Sequence, residues 1–74
     1  MEVEVRLFAG LREGRFKRRR IELPEATTLR EALSRLDIPA EEVSLPLVNG
    51  IYSEMDRELV PDDTLALFPA VGGG

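Results

Sequence analysis

Thr28-Leu29-Arg30-Glu31-Ala32-Leu33-Ser34-Arg35-Leu36 is the stretch on which the fold depends. Thr28 and Glu31 have the spacing of a capping box, in which the N-cap hydroxyl accepts from the third helical amide and the glutamate reaches back to the N-cap amide. Leu29, Ala32, Leu33 and Leu36 fall at i, i+3, i+4 and i+7, one apolar stripe. The stretch predicts one amphipathic helix, and Pro39 is expected to stop it just after Asp37 and Ile38. A stripe of this kind must bury itself against another element. The flanking sequence has to supply that element.

Upstream, Glu2-Val3-Glu4-Val5-Arg6-Leu7-Phe8 alternates with the period of a strand that buries one face. Val3, Val5 and Leu7 are expected to point inward, and Glu2, Glu4, Arg6 and Phe8 outward. Gly10 to Gly14 carries turn residues for a hairpin loop. A second strand is expected from about Phe16 to Leu23. Its inner face would hold Ile21 and Leu23 together with Lys17 and Arg19, so those cations must lie beyond the core or a bulge must shift the register.

Downstream, Ala40 to Ser44 reads as a connection with room for one helical turn. Leu45 to Val48 reads as a short strand, placed at a sheet edge because Pro46 cannot donate to a ladder. Asn49-Gly50 is a strong hairpin signal. The segment from Ile51 to Leu59 is weakly patterned, with room for a short strand. Glu54, Asp56 and Glu58 alternate there as an exposed strand face would. Pro61-Asp62-Asp63 is a turn, and Thr64 to Phe68 is a last strand with Leu65 and Leu67 on one face and Ala66 and Phe68 on the other. A helix that follows a hairpin and precedes the last strand allows the first and last strands to pair in parallel. The expected architecture is α+β: a β-grasp, ubiquitin-like domain over residues 1–74, with a mixed sheet of four to five strands covered on one face by one helix. Residues 72–74 are expected to form a flexible glycine tail.

Composition narrows the chemistry. The 74 residues contain no cysteine and no histidine, which removes disulfides, thiolate chemistry, and the commonest general base and metal ligand. No secretory leader is legible at the start, and no apolar run approaches the roughly 20 residues that span a bilayer. The expectation is a cytoplasmic protein, monomeric when free, with no membrane partner. Net charge is −4, and the charge is segregated. Six of the ten basic residues lie between Arg12 and Arg20, whereas residues 37–63 hold eight acids and one base, Arg57. An acidic half can steer a basic partner surface, and it argues against nucleic acid as the main ligand.

Three constellations could carry function. Phe8 and Phe68 end outward-facing strand positions, and parallel pairing would set them side by side, with Tyr52 able to join them. Such a cluster reads as a docking patch. The run Lys17-Arg18-Arg19-Arg20 reads as a solvated, charged sheet edge that discourages edge-to-edge pairing. Asp62 and Asp63 sit in a proline-led turn where such residues hydrogen-bond locally, so no metal site is expected. The chain closes on Pro69-Ala70-Val71-Gly72-Gly73-Gly74. These glycines are no phosphate loop, since they lack the following helix and lysine.

These residues resemble the ubiquitin-like sulfur carriers, which include the small subunit of molybdopterin synthase and the thiamine-pathway sulfur carrier. The resemblance spans the chain. It rests on Leu7-Phe8-Ala9 with Leu11-Arg12-Glu13, on Val48-Asn49-Gly50, and on Asp63 to Pro69 running into the glycines. The Phe-Pro-x-Val-x-Gly-Gly pattern of Phe68 to Gly74 looks more like the molybdopterin branch. Asp62 stands where glycine is usual, and Ala70 where a second proline is common.

The resemblance implies that an ATP-dependent activating enzyme adenylates the Gly74 carboxylate. Sulfur then displaces AMP to leave a thiocarboxylate, and a synthase large subunit or another sulfur-accepting synthase takes the sulfur. ATP belongs to the partner, and no cofactor is expected on this chain. Gly72 and Gly73 would thread a narrow site that side chains would block. With Val71 the glycines reach about 14 Å, and Pro69 would direct them off the sheet. Phe8, Tyr52, Phe68, Pro69 and Val71 would contact the partner. The chain would be a carrier and no catalyst alone. The alternatives are a thiamine thiazole carrier and a ubiquitin-like modifier conjugated through Gly74.

Overall fold

The computed structural model describes residues 1–70. It contains β1 (Glu2–Leu7), β2 (Arg18–Glu22), α1 (Leu29–Arg35), β3 (Val43–Val48), β4 (Ile51–Tyr52) and β5 (Thr64–Pro69), with 3-10 turns at Ala9–Arg12 and Ala40–Glu42. The strands form one sheet in the order β2-β1-β5-β3-β4. β1 runs antiparallel to β2 and parallel to β5, and β3 is antiparallel to both β5 and β4. This is the expected α+β, β-grasp architecture. The core joins Val3, Val5 and Leu7 of β1, Leu65 and Leu67 of β5 and Val48 of β3 to Leu29, Ala32 and Leu33 of α1. Leu36, the last residue of the predicted stripe, packs against this cluster partly buried.

The capping box is complete. The Thr28 amide donates to Glu31 Oε1 at 2.8 Å, and the Glu31 amide donates to Thr28 Oγ1 at 3.2 Å. The two remaining free amides of the helix start are met by backbone from elsewhere. Leu29 donates to the Arg57 carbonyl and Arg30 to that of Met55. The segment after β4 therefore has an irregular path because its carbonyls close the helix N-terminus. Glu54, Asp56 and Glu58 are accordingly not an exposed strand face: a turn runs from Glu54 to Arg57, and Asp56 pairs with Arg30.

The other end of α1 also departs from expectation. The helix closes at Arg35, four residues before Pro39, in a Schellman arrangement. Ile38 donates to the Leu33 carbonyl and Asp37 to that of Ser34, with Asp37 at φ +58°. Arg15 adds a bond from Nη2 to the Asp37 carbonyl at 3.2 Å. A left-handed residue ends this helix, and the proline only follows it.

β3 is not the edge strand that Pro46 suggested. It lies between β5 and β4. The Pro46 carbonyl accepts from Ser53 at 3.0 Å, so the missing N–H faces the β4 side as well. β4 is two residues long, and its ladder ends at the Pro46–Ser53 pair, which makes one bond instead of two. β2 starts at Arg18, later than expected. Arg19 sits opposite Val5 on the core side of this edge strand, and it remains exposed with its guanidinium 4.4 Å from the Phe16 ring centroid.

Candidate functional site

The site is built by register. Arg18 of β2 lies opposite Arg6 of β1, Arg6 opposite Ala66 of β5, Ala66 opposite Leu47 of β3, and Leu47 opposite Tyr52 of β4. Directly paired residues share a face. This row therefore crosses all five strands on the side of the sheet away from α1. One row nearer the C-terminal end of β5, Phe68 pairs with Leu45. Phe8 stands beside Phe68, since its amide donates to the Leu67 carbonyl at 3.1 Å. The two rings are stacked, with centroids 4.2 Å apart and planes at 10°.

Phe8, Phe68 and Pro69 are each half-buried, and Tyr52 is exposed. Tyr52 shares the face of the aromatic pair but stands beyond Leu47, and it makes no ring stack among the described residues. Leu45 and Leu47 fill the space between, and Leu45 is 42% exposed. These two leucines were missed in the sequence. Alternation around Pro46 carried the signal, but it has meaning only once β3 is placed beside β5. Val71, Gly72, Gly73 and Gly74 lie outside the described residues.

The face is bounded by charge. Toward β2, Arg6, Arg12, Lys17 and Arg18 surround a groove beside Phe8. Arg12, also missed, donates from Nε to the Leu7 carbonyl at 2.9 Å and holds its guanidinium 5.7 Å from the Phe8 ring centroid. Toward β3, Val43 is paired with Pro69, which brings the exposed Glu41 and Glu42 to the same end of the sheet. At this end of the sheet the exposed acids Glu41 and Glu42 thus stand on one flank and the cations on the other.

The Asn49-Gly50 and Asp62-Asp63 turns meet at the start of β5. Asn49 and Gly50 have φ of +53° and +84°, the left-handed pair of a two-residue hairpin. Asp63 is buried, accepting from Asn49 Nδ2 on one oxygen and from the Val60 amide on the other, both at 2.8 Å. Asn49 Oδ1 in turn accepts from Thr64 at 2.9 Å. The Asp63 carboxylate is committed to the turn and sets the start of β5.

A β-grasp domain whose last strand leads from a stacked aromatic pair into a glycine-rich terminus is the architecture of a ubiquitin-like carrier. The profile of the ThiS family matches residues 5–74, and the chain belongs to that family of ubiquitin-like sulfur carriers. Among curated proteins no relative matches the sequence. Solved structures do. Molybdopterin converting factor subunit 1 from Pyrococcus furiosus is 29% identical with a TM-score of 0.78, over 96% of this chain and 99% of that one. SAMP1 from Haloferax volcanii is 25% identical with a TM-score of 0.78, over the full length of both. The complex of subunits 1 and 2 of the molybdopterin-converting factor from Helicobacter pylori contains a match of 26% identity and TM-score 0.63, also over the full length of both.

Proposed function

We propose that this protein is the small, sulfur-carrying subunit of a molybdopterin synthase, with Gly74 as the sulfur-bearing residue. The observation that carries the reading is the Phe8–Phe68 stack on the open sheet face at the point where β5 passes into Pro69. In this reading a partner adenylating enzyme binds ATP. The Gly74 carboxylate oxygen attacks the α-phosphorus, and pyrophosphate leaves. The outer sulfur of a persulfide then displaces AMP to give an acyl disulfide. A second thiol of the sulfur donor cleaves its S–S bond and is itself left in a disulfide, and the released thiocarboxylate is carried to the large subunit. The chain contributes binding and delivery: the aromatic face docks, Pro69 sets the exit direction, and Gly72 and Gly73 enter the site without side chains. It binds no cofactor of its own and performs no catalysis alone. Likeness to the Pyrococcus subunit and to the Helicobacter complex supports the molybdopterin branch and the large-subunit partner. Membership of the ThiS family keeps a thiazole-forming acceptor as the alternative. Likeness to SAMP1, a small archaeal modifier protein, favours a second reading in which Gly74 is joined to amines of other proteins.

Deleting Gly73 and Gly74 should leave the melting temperature unchanged and abolish ATP–pyrophosphate exchange with the cognate adenylating enzyme. Retained exchange would rule out the carrier reading. Mass spectrometry of the protein from its native host separates the readings further. A gain equal to the difference between sulfur and oxygen marks the thiocarboxylate, and adducts through Gly74 on other proteins mark the modifier.

A further inference from the structure

The run Lys17-Arg18-Arg19-Arg20 has no part in the carrier chemistry, and the fold separates its four cations. Arg20 is neutralised, donating to Glu2 at 2.7 Å and to Asp62 at 2.9 Å. Arg19 covers the Phe16 ring. Lys17 and Arg18 line the groove beside Phe8, together with Arg6 and Arg12. Arg6 is bonded to Glu4, and Arg18 stands 3.9 Å from the same carboxylate. Among the described residues no carboxylate lies within 4.0 Å of Lys17 or Arg12. Of the four groove cations only Arg6 and Arg18 reach a carboxylate, that of Glu4, which Arg20 also approaches to 3.9 Å. The Arg12 guanidinium is already oriented by its bond to Leu7 and its place over Phe8. Its outer N–H groups form the planar fork that matches a carboxylate, with little side-chain freedom left to lose on binding.

We propose that this groove receives an acidic segment of the enzyme that docks on the aromatic face, with a partner carboxylate on Arg12 and further acids against Lys17 and Arg18. The proposal rests on the carrier reading and specifies the partner chemistry for it. Phe8 belongs to both the groove and the aromatic pair, so one partner surface can cover the two together. Nucleic acid fits less well. Phe8 is stacked on Phe68 and has the Arg12 guanidinium 5.7 Å from its ring centroid, so a base would have to compete with both to stack on it. Glu41 and Glu42 on the opposite flank would repel a polyanion crossing this end of the sheet. The opposed charges also fix the rotation of the docked enzyme about the tail, because a turned complex would set like charges together.

The test is a calorimetric titration of the full chain, carrying Lys17→Glu with Arg18→Glu or carrying Arg12→Gln, against the cognate adenylating enzyme and the large subunit at low and high ionic strength. Lys17 and Arg18 are exposed, so the double variant should still fold, with a small loss of melting temperature because Arg18 stands 3.9 Å from Glu4. Its affinity should fall about tenfold or more at low salt, with the deficit shrinking at high salt as screening weakens the charges. Arg12→Gln should weaken binding in the same direction. Unchanged affinity in the double variant, with Phe68→Asp still abolishing binding, would overturn the groove and leave the carrier reading standing. A wild-type chain that binds neither enzyme would overturn both. A fluorescein-labelled oligonucleotide that competes with the enzymes for the wild-type groove would overturn the proposal in favour of nucleic acid.

Discussion

Phe68 is the residue on which the functional reading depends most. It alternates with Leu65 and Leu67, which are fully buried, and it lies on the opposite face. Its partner in the fold is Phe8 rather than the core, and a stacked aromatic pair contributes only about 1 kcal/mol beyond its area. Phe68→Asp should therefore leave a folded domain with a modest loss of stability. Binding should suffer far more, because a buried aromatic anchor contributes about 2 kcal/mol or more and a carboxylate pressed into that contact would be desolvated without a partner. A melt paired with a binding isotherm to the adenylating enzyme checks this. An unfolded mutant would place Phe68 in the core, and a folded mutant that binds normally would leave the aromatic face without a role. Not every residue here was legible in advance. Asp63 read correctly as a turn former, but its burial between Asn49 and Val60 was not visible, because Asn49 is 14 residues away and only the β3–β5 pairing brings it close.

At the scale of elements, α1 is short for a free-standing helix, at seven residues. Isolated helices below about 12 residues are marginal in water, so its caps and its buried stripe must hold it. Thr28→Ala removes the acceptor for the Glu31 amide and should cost about 1 kcal/mol. Leu33 is 1% exposed at the centre of the stripe, and Leu33→Ala should cost about 2–5 kcal/mol through lost burial and a residual cavity. Denaturant melts measure both, and a neutral Leu33→Ala would mean that the helix does not face the sheet. The start of this helix was legible because a capping box is local. Its end was misread because Asp37 takes the left-handed conformation usually left to glycine. The Arg15–Asp37 bond that meets it crosses 22 residues. Sequence spacing cannot show such a bond.

At the scale of the whole molecule, charges tie the first strands to the last turn. Arg20 links Glu2 to Asp62, and those hydrogen bonds push its already high value further up, so it stays cationic. The Glu4 carboxyl is held below the usual carboxylate range, first by the hydrogen bond from Arg6, against an opposing desolvation, and then by the charges of Arg6, Arg18 and Arg20. A carboxyl depressed in the fold contributes stability above its unfolded value and loses it as pH falls through the folded one. Thermal melts should thus find Glu4→Gln less stable than wild type near neutrality, with the difference closing on the acid side of the usual carboxylate range. A difference that holds across that range would mean that Glu4 acts through packing and not through its charge. The sequence by itself determined the strand faces, the helix start, the hairpin turns and the aromatic pair, because each is written in alternation or spacing over a few neighbouring residues. Only the tertiary structure decided that β3 lies inside the sheet, that the segment after β4 caps the helix, and that one basic run divides into a neutralised arginine, a ring cover and a free groove. Those outcomes depend on which backbone groups and charges meet across tens of residues, and that meeting is settled by the burial of α1 against the sheet.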